Sequence, residues 1–108
     1  MQTDPLKTLE LKPLIIEAIS KVYDPEIPVN IYELGLIYDI DVNSENVVQV
    51  NMTLTSPACP SAQALPLEVE QRVREVPGVA AAKVDVVWEP TWTMEKMSEE
   101  AKLQMGLL

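Results

Sequence analysis

The 108-residue sequence has no histidine and a single cysteine, Cys59. Without histidine the usual general base and the commonest nitrogen ligand are both missing. A Ser-His-Asp triad and a Cys-His pair are therefore excluded, as is a zinc site of Cys and His ligands within one chain. One cysteine allows neither an intrachain disulfide nor a CxxC clamp. No apolar run approaches the roughly 20 residues needed to span a bilayer, so no membrane association is expected. The opening Met1-Gln2-Thr3-Asp4-Pro5 lacks the basic start and apolar stretch of a signal peptide, and a cytoplasmic location is expected. Basic residues are scarce, with 8 Lys and Arg against 17 Asp and Glu and a net charge of −9. Nucleic-acid affinity depends on neutralising phosphates. Arg72, Arg74 and Lys83 are interleaved with acids, so no nucleic-acid partner is expected. Low-complexity runs and internal repeats are absent as well.

What remains has the composition of an ordinary globular protein, 47% hydrophobic and 23% charged. The length suits one domain over residues 1–108, with a core that needs no staples. Leu11, Ile15, Ala18, Ile19 and Val22 recur at helical spacing, which predicts a first helix over 13–22 with Pro13 in its opening turn. Asp24-Pro25-Glu26-Ile27-Pro28-Val29 reads as an extended loop. Asn30, Glu33 and Gly35 bracket a single helical turn.

Alternation then sets in. Tyr38, Ile40 and Val42 fall on one face and Asp39 and Asp41 on the other. After an Asn43–Asn46 turn, Val48, Val50, Met52 and Leu54 face one way and Gln49, Asn51, Thr53 and Thr55 the other. The pattern predicts an antiparallel hairpin with one wet face. A second helix is expected from Pro60 to about Glu75; at Pro66 either the helix kinks or Pro60–Leu65 is a looser turn, and the apolar period that continues across Pro66 favours the kink. A third strand over 79–88 would place Val84, Val86 and Trp88 in the core. Ser98 is expected to cap a short last helix that stops at Gly106. The order α-β-β-α-β predicts an α+β two-layer domain, with helices on one face of a small three-stranded mixed sheet.

Cys59 precedes Pro60, a good first helical residue, and so falls at a helix N-cap. Unpaired N–H groups and the positive helix end there favour the thiolate, the form that binds metals. Spacing alone also admits a buried cysteine acting as a small hydrophobe. Asp24 and Glu26 flank a rigid proline and are either metal ligands or ordinary helix-end punctuation. Trp92, Met94 and Met97 lie in an irregular segment suited to a protein contact, although packing on their own domain is the plainer alternative.

Three stretches carry a family resemblance. Asp24-Pro25-Glu26-Ile27-Pro28-Val29-Asn30 through Tyr38, Met52-Thr53-Leu54-Thr55-Ser56-Pro57-Ala58-Cys59-Pro60, and Trp88-Glu89-Pro90-Thr91-Trp92 together resemble the SufT-like, PaaD-like iron–sulfur cluster assembly proteins. Met97-Ser98-Glu99-Glu100-Ala101-Lys102 is similar to the family's tail. The phenylacetate-oxygenase branch carries a further cysteine-rich segment that this sequence lacks, so the general assembly branch is expected.

The resemblance implies a non-enzymatic maturation factor that carries a labile iron–sulfur cluster through Cys59. It further implies that Asp24, Glu26, Thr53 and Thr55 line the same pocket, and that the partners are iron–sulfur client proteins and the assembly machinery. Cluster irons commonly take four thiolates. A symmetric homodimer would supply two, and a client or small thiol the rest. The main competing reading is an adaptor that brings clients to the machinery without holding metal. A thiol enzyme or persulfide carrier, lacking a histidine base, ranks last.

Overall fold

A computed structural model describes residues 4–23, 29–55 and 64–106. Helix α1 (Pro5–Ile19) leads into strands β1 (Ile37–Val42) and β2 (Val47–Met52), helix α2 (Ala64–Arg74), strand β3 (Ala81–Val86), a 3-10 turn (Met94–Lys96) and helix α3 (Glu99–Gln104). The sheet order is β1-β2-β3. β1 and β2 form the predicted antiparallel hairpin, and β3 joins β2 in parallel after the α2 crossover. α1 packs on β1 and α2 on β3, burying one sheet face. This is the expected mixed three-stranded α+β layer. Among the described residues no helix is long and apolar enough to cross a membrane.

α1 begins eight residues earlier than its apolar spacing suggests. The Asp4 carboxylate accepts from the Leu6 and Lys7 amides (3.1 and 3.3 Å), and Pro5 takes the first helical position. The early turns present Leu6 and Leu9 to solvent (78% and 72% exposed), so no apolar period announces them. Pro13 therefore sits inside the helix, not at its start. It lies on the exposed side, where water can satisfy the Leu9 carbonyl that its missing N–H leaves free. Leu11, Ile15 and Ile19 are buried as expected.

Pro66 lies within α2, and the expected helix start at Pro60 falls outside the described residues. The Asn43–Asn46 turn is held by the Asn43 side chain, which accepts from the Glu45 and Val47 amides at 2.9 Å each. Ser98 caps α3 through the Ala101 amide (3.1 Å), and Gly106 follows with φ +76°.

The core face of the sheet is Ile40, Val42, Val48, Val50 and Met52, all buried, with Val69 and Val73 of α2 above it. Val84 and Val86 share that face but are only half-buried, because among the described residues β3 has a neighbour on one side only. Trp88 is 45% exposed and does not join the core. β3 ends at Val86, so the alternation that placed Trp88 inside no longer applies.

Tyr38 also departs from its alternation. A register shift between Ile37 and Asp39 makes it the extra residue of a bulge, and Ile37 rather than Tyr38 continues the core face opposite Met52.

Candidate functional site

The site is built where β2 runs out. Thr53 follows the last paired residue, and its amide donates to the Leu36 carbonyl at 2.8 Å. The polar alternation Gln49-Asn51-Thr53 predicts an exposed side chain, but Thr53 is 1% exposed. The segment after β3 folds back over it. Val87 donates to the Met52 carbonyl (2.8 Å), and the chain continues through a cis Glu89–Pro90 peptide. Trp92 Nε1 then donates to the Leu34 carbonyl at 2.7 Å. The result is a cleft of about 390 Å³ lined by Thr53, Thr55, Trp88, Glu89, Thr91 and Trp92.

The bulge turns Tyr38 towards this segment, and its hydroxyl donates to the Pro90 carbonyl at 2.7 Å. Burial pushes the Tyr38 hydroxyl above the ordinary phenol value, and the nearby Thr53 side chain pulls weakly the other way. Tyr38 thus stays a proton donor. Lys96 lies over the Tyr38 ring, 5.1 Å from its centroid, where the cation meets the negative π face.

Thr53 Oγ1 itself has no hydrogen-bond partner among the described residues. Tyr38 is close enough to be felt electrostatically, but its proton is committed to Pro90, and the Thr53–Tyr38 pair lacks hydrogen-bond geometry. An unpaired buried hydroxyl costs about 1–3 kcal/mol. Such a group is kept where something else uses it. Thr53→Val is accordingly expected to leave the fold intact and raise its stability by up to about 1 kcal/mol. An upward shift of the urea midpoint at unchanged slope would show this.

Cys59, Asp24 and Glu26 lie outside the described residues. Their flanks are nevertheless tied together by three backbone hydrogen bonds. Ile31 donates to the Val22 carbonyl (2.9 Å), Leu36 to the Ile31 carbonyl (3.2 Å) and Thr53 to the Leu36 carbonyl (2.8 Å). This relay runs from the exit of α1, before Asp24, to the end of β2, before Cys59. Tyr23 and Asn30 are bridged as well, closing the base of the 24–28 segment. The turn that follows Asn30 is the expected one, with the Asn30 side chain accepting from the Glu33 amide at 2.9 Å.

Of the proposed contact residues, Trp92 is half-buried against its own core and Met94 is 57% exposed. Met97 is 6% exposed and packs in the core, so its thioether faces its own domain. Sequence reasoning missed Glu89, Thr91 and the partly open Trp88 as cleft residues, and Tyr38 as the group that holds the covering segment at Pro90. The Trp88–Trp92 stretch carried a signal for the first three, whereas nothing in the alternation marks the bulge at Tyr38. Among the described residues no group of three or more Cys, Asp or Glu is placed to hold a metal.

Residues 13–86 match the family described as iron–sulfur cluster assembly protein. An Fe-S protein maturation auxiliary factor of Porphyromonas gingivalis is 49% identical over 94 residues, which cover 87% of this chain and 90% of that protein. The Fe-S protein maturation auxiliary factor SufT of Staphylococcus aureus is 40% identical over 86 residues, 80% of this chain and 98% of its own. The crystal structure of a domain of unknown function from Bacillus anthracis superposes with a TM-score of 0.89 at 33% identity, covering 97% of this chain and all (100%) of that one.

Proposed function

This chain belongs to the iron–sulfur cluster assembly protein family, and from that premise we propose that it is a maturation factor handling an iron–sulfur cluster as cargo for client proteins. Cys59 is the thiolate that meets the cluster. Asp24, Glu26, Thr53 and Thr55 surround it, and Trp92 and Met94 lie on the client side. The observation that carries this reading is the buried Thr53 hydroxyl, without a partner among the described residues, in a cleft at the strand end leading to the only cysteine. A hydroxyl held in that state suits an acceptor or donor for a group that arrives and leaves.

The chemistry fits transfer better than turnover. The chain has no histidine, and one thiolate is far short of the usual four. Cargo held with a shortage of ligands is readily passed on. A cytoplasmic setting, where thiols stay reduced, keeps Cys59 available.

The competing reading is a metal-free adaptor that brings clients to the machinery, and the same shortage of ligands, one thiolate and no histidine, speaks for it. A transfer assay separates the two. The chain is reconstituted anaerobically with iron and sulfide, desalted, and mixed with an apo-ferredoxin as probe client. Appearance of the client's cluster absorbance at the expense of this chain's iron is the expected result. A chain that emerges iron-free with thiol present, yet binds assembly components, would replace the carrier with the adaptor.

A further inference from the structure

We propose that the free edge of β3 is a self-recognition surface, through which a second copy of this chain pairs antiparallel to make one continuous six-stranded sheet. The inference stands apart from cluster handling and uses none of the cleft residues.

β3 ends the sheet. Among the described residues no backbone group pairs with its outer side. Val87 directs its N–H inward to the Met52 carbonyl. Alternate residues of a strand direct their polar groups to opposite sides. Ala82, Val84 and Val86 therefore turn theirs to the open edge. Those same residues lie on the core face, where Val84 and Val86 are only half-buried although their β2 neighbours Val50 and Met52 are fully buried. Long unpaired edges are usually covered.

The occupant is selected by charge. On the wet face β3 carries Lys83 and Asp85, side by side and exposed, with their charged ends 3.9 Å apart. In a two-fold antiparallel pair centred on Val84, each Lys83 faces the Asp85 of the other copy, and Ala82 faces Val86. The same centre brings the outward amide and carbonyl of the two Val84 residues together as a hydrogen-bonded pair. Centring on Lys83 or on Asp85 would instead set like charges opposite each other, which destabilises a sheet. Of the three registers that pair the middle of the strand, only that on Val84 satisfies the edge hydrogen bonds and the charges at once. It places the two Thr53 clefts beyond opposite ends of the paired strands, at least roughly 20 Å apart at strand spacing.

The test is sedimentation velocity over a concentration series, with reduced, iron-free Cys59→Ser chain so that thiol and cluster play no part. A monomer–dimer equilibrium is expected. Lys83→Asp alone and Asp85→Lys alone should each weaken association about tenfold or more, since each converts two attractive contacts to repulsive ones. The double swap should restore it. Val84→Pro removes an outward N–H, a change an edge strand accepts, replaces one half-buried apolar side chain with another, and should abolish the dimer with an unchanged circular dichroism spectrum. Amide exchange at Ala82, Val84 and Val86 should slow as concentration rises. A monomer throughout the series, a double swap no better than the single reversals, or a dimer that persists in folded Val84→Pro would each overturn the proposal.

Discussion

Replacing Cys59 with serine is expected to remove essentially all iron retained after anaerobic reconstitution. Loading should fall about a hundredfold or more, beyond the 10–100-fold losses that follow removal of groups merely supporting a metal ligand. Iron in a cluster takes soft thiolate sulfur, and no other residue of this chain offers either sulfur as thiolate or imidazole nitrogen. A serine hydroxyl of similar size keeps the shape and removes the ligand. The native chain should in turn load only with a further thiol source, or as an assembly that shares the cluster. Iron analysis with size-exclusion chromatography, with and without glutathione, reads both effects. Equal iron in Cys59→Ser, or a stable iron-loaded monomer without external thiol, would refute the assignment of the cluster to this thiolate. The β3-edge dimer is a separate matter, because it is expected in the iron-free serine variant too.

Gly35→Ala is expected to give the largest loss of stability of any exposed-to-half-buried substitution outside the apolar core, roughly 2–5 kcal/mol. Against a total of about 5–15 kcal/mol for a domain, that is a substantial fraction. Two costs add at one position. Gly35 has φ +81°, which side-chain-bearing residues rarely adopt, and a Cβ there would run into the main-chain carbonyl of Lys96. Main chain cannot step aside as a flexible side chain can. The neighbouring contacts show what would be displaced: Trp92 Nε1 on the Leu34 carbonyl, Ser98 N–H on the Glu33 carbonyl (2.9 Å), and Lys96 over Tyr38. Urea denaturation measures the loss. Near-native stability would mean that the 88–98 segment is not anchored on the Asn30–Gly35 turn as described.

The two predictions draw on different sources. The role proposed for Cys59 comes from counting residue types and from the likeness of the 24–38, 52–60 and 88–92 stretches to the assembly family, and the family match spans the first two of these. The role of Gly35 needs coordinates, since Lys96 is 61 positions away in sequence and nothing local brings it there.

The same division runs through the fold. Period-two alternation was enough for the β1–β2 hairpin, since a strand with one buried face admits one register. The α2 stripe of Leu65, Val69 and Val73 was equally legible. The turn at Asn30 and the Ser98 cap depend on contacts three residues apart, and the chain spells them out. The start of α1 was not legible, because a helix whose first turns face solvent is set by its Asp4 cap and not by an apolar period. Tertiary structure alone decided the burial of Thr53, the bulge at Tyr38 and the exposure of Trp88. The first two turn on a segment remote in sequence: the chain after β3 covers Thr53, and its Pro90 carbonyl receives the Tyr38 hydroxyl, whereas Trp88 is exposed because β3 ends two residues before it. Alternation reports which side of a strand a residue is on, but it cannot report what a distant segment lays across that side.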